Sequence, residues 1–131
     1  MSTSNRSSAA LEHVNITVRD PDATAALLER LFGWHVRWRG PAKEDGLTVH
    51  VGTDDQYMAI YSLDPDAPAA PDSTYVVGGL NHVGVVVDDL DAVEALVKKE
   101  GLVPYNHGDY EPGRRFYFDD VDGIEYEVVS Y

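Results

Sequence analysis

The chain has 131 residues, 23 acidic side chains against 10 basic ones for a net charge of −13, and no cysteine. A chain of this size buries a core without staples. The absence of thiols excludes disulfides, thiolate metal sites and cysteine nucleophiles, and the charge argues against nucleic acid or an anionic membrane surface as partner.

The opening MSTSNRSSAA is Ser-rich and lacks the hydrophobic segment of a secretory signal. Residues 1–9 therefore read as a disordered lead-in. No apolar run approaches the roughly 20 residues of a membrane span, and the expectation is a cytoplasmic protein.

LEHVNITV (11–18) reads as a strand with His13, Asn15 and Thr17 on one face and Val14, Ile16 and Val18 on the other. A helix follows, with Asp20 as N-cap, Pro21 at the first helical position and Gly33 at C′. Ala23, Leu27 and Leu31 form its expected apolar stripe. WHVRWRG (34–40), GLTVHVG (46–52) and QYMAIYSL (56–63) read as strands. Alternation in the first of them groups Trp34, Val36 and Trp38 against His35, Arg37 and Arg39. The tryptophans are expected in core or pocket-wall packing, and His35 is expected exposed. The Pro-, Ala- and Gly-rich segment 64–79 is a linker.

The chain then repeats itself. LNHVGVVVDDLDAVEALVKKEG (80–101) lies over residues 11–32 at an offset of 69, with matches that include His13/His82, Asp20/Asp89 and Leu27/Leu96. The second strand sets His82, Gly84 and Val86 against Val83, Val85 and Val87. Asp89 and Gly101 bracket the second helix, whose expected stripe is Ala92, Leu96 and Lys99. LVPYNH (102–107), RRFYFDD (114–120) and IEYEVVSY (124–131) complete the copy. The order predicts an α+β fold: two βαβββ modules in tandem, over 10–63 and 80–131, that together make one domain. Helices would cover one face of a curved, mostly antiparallel sheet, leaving a central cleft on the other.

His13 and His82 point to that free face, and on the last strand Glu125, Glu127, Val129 and Tyr131 share a face. Two imidazoles and one carboxylate with positions left open suit a divalent ion such as Fe, Mn, Ni or Zn. Aligning Asp55 with Asp122 puts His50 where Tyr117 lies in the second copy, which makes His50 a candidate pocket residue. Arg115 shares a strand face with Tyr117 and is a candidate for an anionic substrate group. No Gly-rich phosphate loop, Walker lysine or G-x-S-x-G elbow is present.

LEHVNITV, LNHVGVVV and DDVDGIEYEVV, within paired βαβββ modules, resemble the vicinal oxygen chelate superfamily over about residues 11–131. That group includes glyoxalase I, bleomycin-resistance proteins, fosfomycin-resistance thiol transferases, extradiol dioxygenases and methylmalonyl-CoA epimerase. The resemblance implies a glyoxalase-like fold and one divalent metal ion held by His13, His82 and Glu127, the Glu four residues after Gly123. The Glu found on the last strand of the first module in glyoxalase I should fall near Met58 or Ile60, both apolar. Val121 also replaces the usual Pro of the final hairpin. A partial likeness to the extradiol signature gives Tyr117 a hydrogen bond to metal-bound oxygen and makes His107 an acid/base or substrate-contact candidate.

The resemblance thus implies a metal-dependent glyoxalase- or dioxygenase-type enzyme acting on a small molecule with vicinal oxygens, of lyase, isomerase, transferase or dioxygenase chemistry. It also implies a homodimer, because related chains pair modules across two subunits. The alternative is a metal-free, bleomycin-resistance-like protein that sequesters a small molecule. A strongly acidic surface would suit a cationic drug.

Overall fold

Each copy of the repeat becomes one helix and one four-stranded sheet in the computed structural model, which describes residues 8–131. Most of the expected lead-in lies outside the described residues. The first copy holds β1 (His13–Thr17), α1 (Pro21–Phe32), β2 (His35–Pro41), β3 (Leu47–Gly52) and β4 (Tyr57–Ser62), in sheet order β1-β4-β3-β2. The second holds β5 (Val83–Val86), α2 (Leu90–Lys99), β6 (Tyr105–Tyr110), β7 (Gly113–Asp119) and β8 (Glu125–Ser130), in order β5-β8-β7-β6. The first strand of each copy runs parallel to the last, and the other pairings are antiparallel. The chain divides into two compact units at Pro65–Asp66, with Arg30–Gly33 grouped with the second.

The aliphatic alternation read from the sequence sets the buried face of each sheet. In the first unit it carries Ile16, Val49, Val51, Met58 and Ile60; in the second, Val85, Phe116, Phe118, Tyr126 and Val128. α2 packs across β7 and β8 on that side. The helix ends follow the expected chemistry. Asp20 and Asp89 accept hydrogen bonds from the Ala23 and Ala92 amides, and Gly33 and Gly101 take positive φ of 70° and 81°.

The expected helical stripe holds at two of its three positions on α1 and is displaced on α2. α1 buries the expected Leu27 and Leu31 together with Thr24, Ala25 and Leu28, while Ala23 is exposed. α2 buries Leu90, Val93 and Val97, and Ala92, Leu96 and Lys99 face away. On α2 the positions that match the first copy are not the ones that pack, since a helix presents whichever i, i+3, i+7 row meets the sheet.

Strict alternation on β2 also fails. Val36 pairs with Val51 but Trp38 pairs with His50, so Arg37 is one residue too many. This bulge puts Trp38 on the opposite face from Val36, beside His50. A second bulge on β6 separates Tyr105, opposite Tyr117, from Gly108, opposite Arg115, with Asn106 at φ 57°.

Candidate functional site

Opposite the buried face, each sheet has an open face, and the strand register makes the two comparable position by position. His13 sits beside Tyr57 on β4, and the strand that begins beyond His82 puts Gly84 beside Glu127 on β8. Following the ladders, Asn15 answers to Gly84 and Ala59 to Glu127. His50 answers to Tyr117, Trp38 to Tyr105, and Thr48 to Arg115. The position of a second-module carboxylate is therefore taken in the first module by Ala59, not by Met58 or Ile60. Those two side chains point into the core, and the absence of a carboxylate there stands.

On the open face of the second unit, three side chains meet. Glu127 Oε1 lies 3.1 Å from His82 Nε2, and Glu127 Oε2 accepts a hydrogen bond from Arg115 Nη1 at 2.8 Å. Glu127 and Arg115 are nearly buried, with side-chain exposures of 14% and 13%. Tyr117 approaches His82 edge-on at 5.6 Å between ring centroids, and Tyr105 flanks it at 6.1 Å. Burial, then the Glu127 charge, raises the Tyr117 phenol above its ordinary value. Burial and a 2.8 Å hydrogen bond to Asp119 do the same to Tyr105. Both stay neutral donors at physiological pH.

The first unit presents rings instead. Tyr57 stacks with His13 at 4.8 Å and with His50 at 4.6 Å, and His50 meets Trp38 at 5.0 Å. The bulge residue Arg37 sets its guanidinium 4.4 Å from the Tyr57 ring centroid. Burial, then the neighbouring His13 and the Arg37 charge, holds the His50 pKa below its ordinary value, with Glu12 opposing. Close ring packing on both sheets needs a glycine. A side chain at Gly40 would run into the Trp38 ring, and one at Gly108 into the Tyr110 ring.

The residue before each histidine fixes the imidazole. His13 Nδ1 meets Glu12 Oε1 at 2.9 Å, and His82 Nδ1 meets Asn81 Oδ1 at 2.7 Å. Glu12 can only accept, so His13 Nδ1 carries the proton; with the Asn81 oxygen turned to the ring, His82 takes the same tautomer, in which Nε2 is left as a lone-pair donor. At His82 that lone pair faces a carboxylate oxygen, which can only accept. Two acceptors 3.1 Å apart call for a cation between them, either a proton on the ring or a metal ion. Two neighbouring ligands bound at about 2.1 Å in an octahedral site lie roughly 3.0 Å apart, so the spacing suits an ion. Gly84 leaves the space beside Glu127 open, since a side chain there would meet nothing within 4 Å.

The second unit thus brings together His82, Glu127, Tyr117 and Arg115, and the first brings together His13 and His50. Among the described residues no three His, Asp or Glu side chains gather as a metal-holding group. His107 lies elsewhere. The β6 bulge turns it toward α2, where Nε2 meets Glu94 at 2.8 Å and the ring stacks on the buried Phe116. There it borders an open recess of about 270 Å³ with Leu90, Asp109 and Arg114. His35 is exposed, 3.4 Å from Asp54. Glu12, Asn81, Tyr57 and Arg37 were not singled out by sequence. The visible signal was an acceptor immediately before the histidine in both copies.

The family profile of the Glyoxalase/Bleomycin resistance protein/Dioxygenase superfamily matches residues 10–128, and the chain belongs to that superfamily. No curated protein matches it by sequence. Its fold is that of a glyoxylase/bleomycin resistance protein/dioxygenase domain from Frankia sp. EAN1pec, at TM-score 0.80 and 23% identity over 95% of this chain and 98% of that one. It is also similar to the fosfomycin resistance protein FosX from Listeria monocytogenes, complexed with Mn(II) and sulfate, at TM-score 0.73 and 19% identity over 94% and 93%. FosX from Mesorhizobium loti matches at TM-score 0.70 and 23% identity over 92% and 90%. No helix among the described residues is long and apolar enough to cross a membrane.

Proposed function

We propose that this chain is a metal-dependent enzyme acting on a small molecule with two adjacent oxygens, and that His13, His82 and Glu127 hold one divalent ion. The observation that carries this reading is the 3.1 Å contact of His82 Nε2 with Glu127 Oε1, which sets an imidazole and a carboxylate donor side by side in the tautomer that the Asn81 oxygen favours. Glu12 prepares His13 in the same way as the third donor. Imidazole and carboxylate donors fit Fe, Mn, Ni or Zn, and FosX from Listeria monocytogenes carries Mn(II) on the same fold. Such an ion would supply Lewis-acid stabilisation of negative charge on substrate oxygen.

The protein's own groups do the rest. Tyr117, neutral through burial, donates a hydrogen bond to a substrate oxygen on the open face beside Glu127. His50, kept unprotonated by burial, serves as a proton acceptor on the ring-lined face. Arg115 cannot be a free anchor for a substrate anion, because Glu127 already holds it. The chemistry, whether lyase, isomerase, transferase or dioxygenase, follows from the metal and the substrate. The working form is a homodimer, with His13 supplied by the same chain or by its copy.

A second reading rests on that same Arg115–Glu127 pair. A carboxylate already neutralised needs no metal, which favours a small-molecule binder of the bleomycin-resistance kind. The test is metal content by mass spectrometry after chelation and reloading with Fe(II), Mn(II), Ni(II) and Zn(II). It compares the intact chain with His13→Ala, His82→Ala and Glu127→Ala. Near-stoichiometric metal lost in the variants supports the enzyme; no metal under any loading leaves the binder.

A further inference from the structure

We infer that Arg115 sets how tightly the site holds its divalent ion, by occupying one oxygen of Glu127 and cancelling its charge. The inference rests on the metal reading above. Glu127 is the only one of the three expected ligands with an arginine hydrogen-bonded to it, and the two oxygens are divided. Oε2 belongs to Arg115 at 2.8 Å, and Oε1 faces His82 at 3.1 Å. The carboxylate therefore meets an ion through Oε1 alone. With the guanidinium in place, Glu127 offers the ion an oxygen donor whose charge is already balanced.

The pair belongs to the second module only. At the equivalent positions the first module has Thr48 and Ala59, so both the base and the acid of the pair are missing there together. Arg115 is held in place without being fully satisfied. Its guanidinium lies 4.7 Å from the Tyr110 ring centroid, Nη2 reaches the Gly113 carbonyl at only 3.4 Å, and Nε, buried, has no hydrogen-bond partner among the described residues. Its attachment to Glu127 is thus the main charged contact it makes. Removing it leaves a nearly buried carboxylate without a counter-charge, an arrangement that seeks a cation.

Two opposed effects follow from deleting Arg115. Glu127 loses a hydrogen bond that orients it, which weakens metal binding. A unit positive charge a few ångströms from a divalent ion is also removed, which strengthens it. The second effect dominates, because charge–charge repulsion at such distances outweighs the orientation of one side chain. Arg115→Gln is therefore expected to bind Mn(II) roughly ten-fold or more tightly than the intact protein. Arg115→Lys, which keeps the charge, is expected to stay within about three-fold. Mn(II) affinity is read by calorimetry and by the paramagnetic resonance of free Mn(II), with thermal unfolding of the metal-free proteins alongside. Arg115→Gln should unfold at a lower temperature without metal and recover on adding Mn(II). A variant that folds only with Mn(II) supports the same conclusion, and if Gln fails in both conditions Arg115→Met, which keeps the aliphatic stem against Tyr110, takes its place. Equal or weaker Mn(II) binding by the neutral variant, or equal tightening in Arg115→Lys, overturns the role of Arg115 while the metal site stands. Absence of Mn(II) binding in every protein overturns the metal reading and this inference with it.

Discussion

The two open faces share one frame and differ in what fills it. On the first, His13, Tyr57, His50 and Trp38 form a row of rings across all four strands, and Ala59 lies buried among those strands. On the second, the row is His82, Tyr117 and Tyr105, and Glu127 takes the place of Ala59 with Arg115 attached. The same strand frame occurs twice, and in one unit it carries stacked rings with Arg37 and Glu12 beside them, in the other a carboxylate paired with an arginine. A nearly buried charge is tolerated only with partners, and Glu127 has Arg115 and His82.

Making the faces alike is the strongest way to break this comparison. Ala59→Glu puts a carboxylate at a position 3% exposed, with no cation at Thr48 to meet it. The expected loss is roughly 3 kcal/mol of unfolding free energy, measured by urea denaturation. Adding Thr48→Arg rebuilds the second module's pair and should recover about 1–2 kcal/mol of that loss. A single variant as stable as the intact chain, or a double variant no better than the single, would show that the pair is not what makes the charge tolerable.

The hairpins that deliver β4 and β8 give a smaller contrast. Asp120, 6% exposed, accepts the Asp122 and Ile124 amides at 2.9 Å and the Tyr126 hydroxyl at 3.4 Å. Thr53 does the same work in the first unit through Oγ1, accepting the Asp55 and Gln56 amides at 3.3 and 3.2 Å, but it is exposed. Asp120→Ala should cost about 2 kcal/mol, and Thr53→Ala less than about 1 kcal/mol. Burial raises the Asp120 pKa above its ordinary 3.8, against the amides that lower it. Its contribution to stability is therefore complete below 3.8 and fades as pH rises through the folded value. Asp120→Asn keeps the accepting oxygen and drops the charge, so it should gain on the intact chain as pH rises through that window. Parallel pH–stability curves for the two proteins would exclude the charged form as a cost.

That same pair of turns explains what the sequence concealed. The modules, helix caps, valine faces and paired histidines were legible because they depend on local spacing, and the offset of 69 holds from Leu11 to Leu96. Beyond the helices the offset drifts. It is 67 between His50 and Tyr117, and 68 between Ala59 and Glu127, because the turn from Asp120 to Ile124 is one residue longer than that from Thr53 to Gln56. Counting from either end therefore lands on Met58 or Ile60, one residue to each side of the true equivalent. The bulges at Arg37 and Asn106 were invisible for a related reason. A strand pattern has period two only while pairing is regular, and one extra residue reverses every face beyond it. His107 went to α2 and Trp38 joined His50 on that account. Arg115 was placed on the correct face, but its partner lies on a neighbouring strand and depends on register alone.

The finest contrast concerns His50 and Tyr117, which occupy equivalent positions and titrate in opposite senses. Burial is the largest influence on each, and it favours the neutral form: it lowers the histidine and raises the tyrosine. His50 should titrate below its ordinary 6.5 in proton-detected NMR of the imidazole. A depressed folded value means that the stability this group contributes is present above 6.5 and lost as pH falls through the folded value. Arg37→Gln removes one of the positive charges that add to burial, and the His50 value should move up toward 6.5 while remaining below it. A His50 that titrates at or above 6.5 in the intact chain would mean that water reaches the ring. The first face would then be a solvated surface and not the ring-packed counterpart of the second.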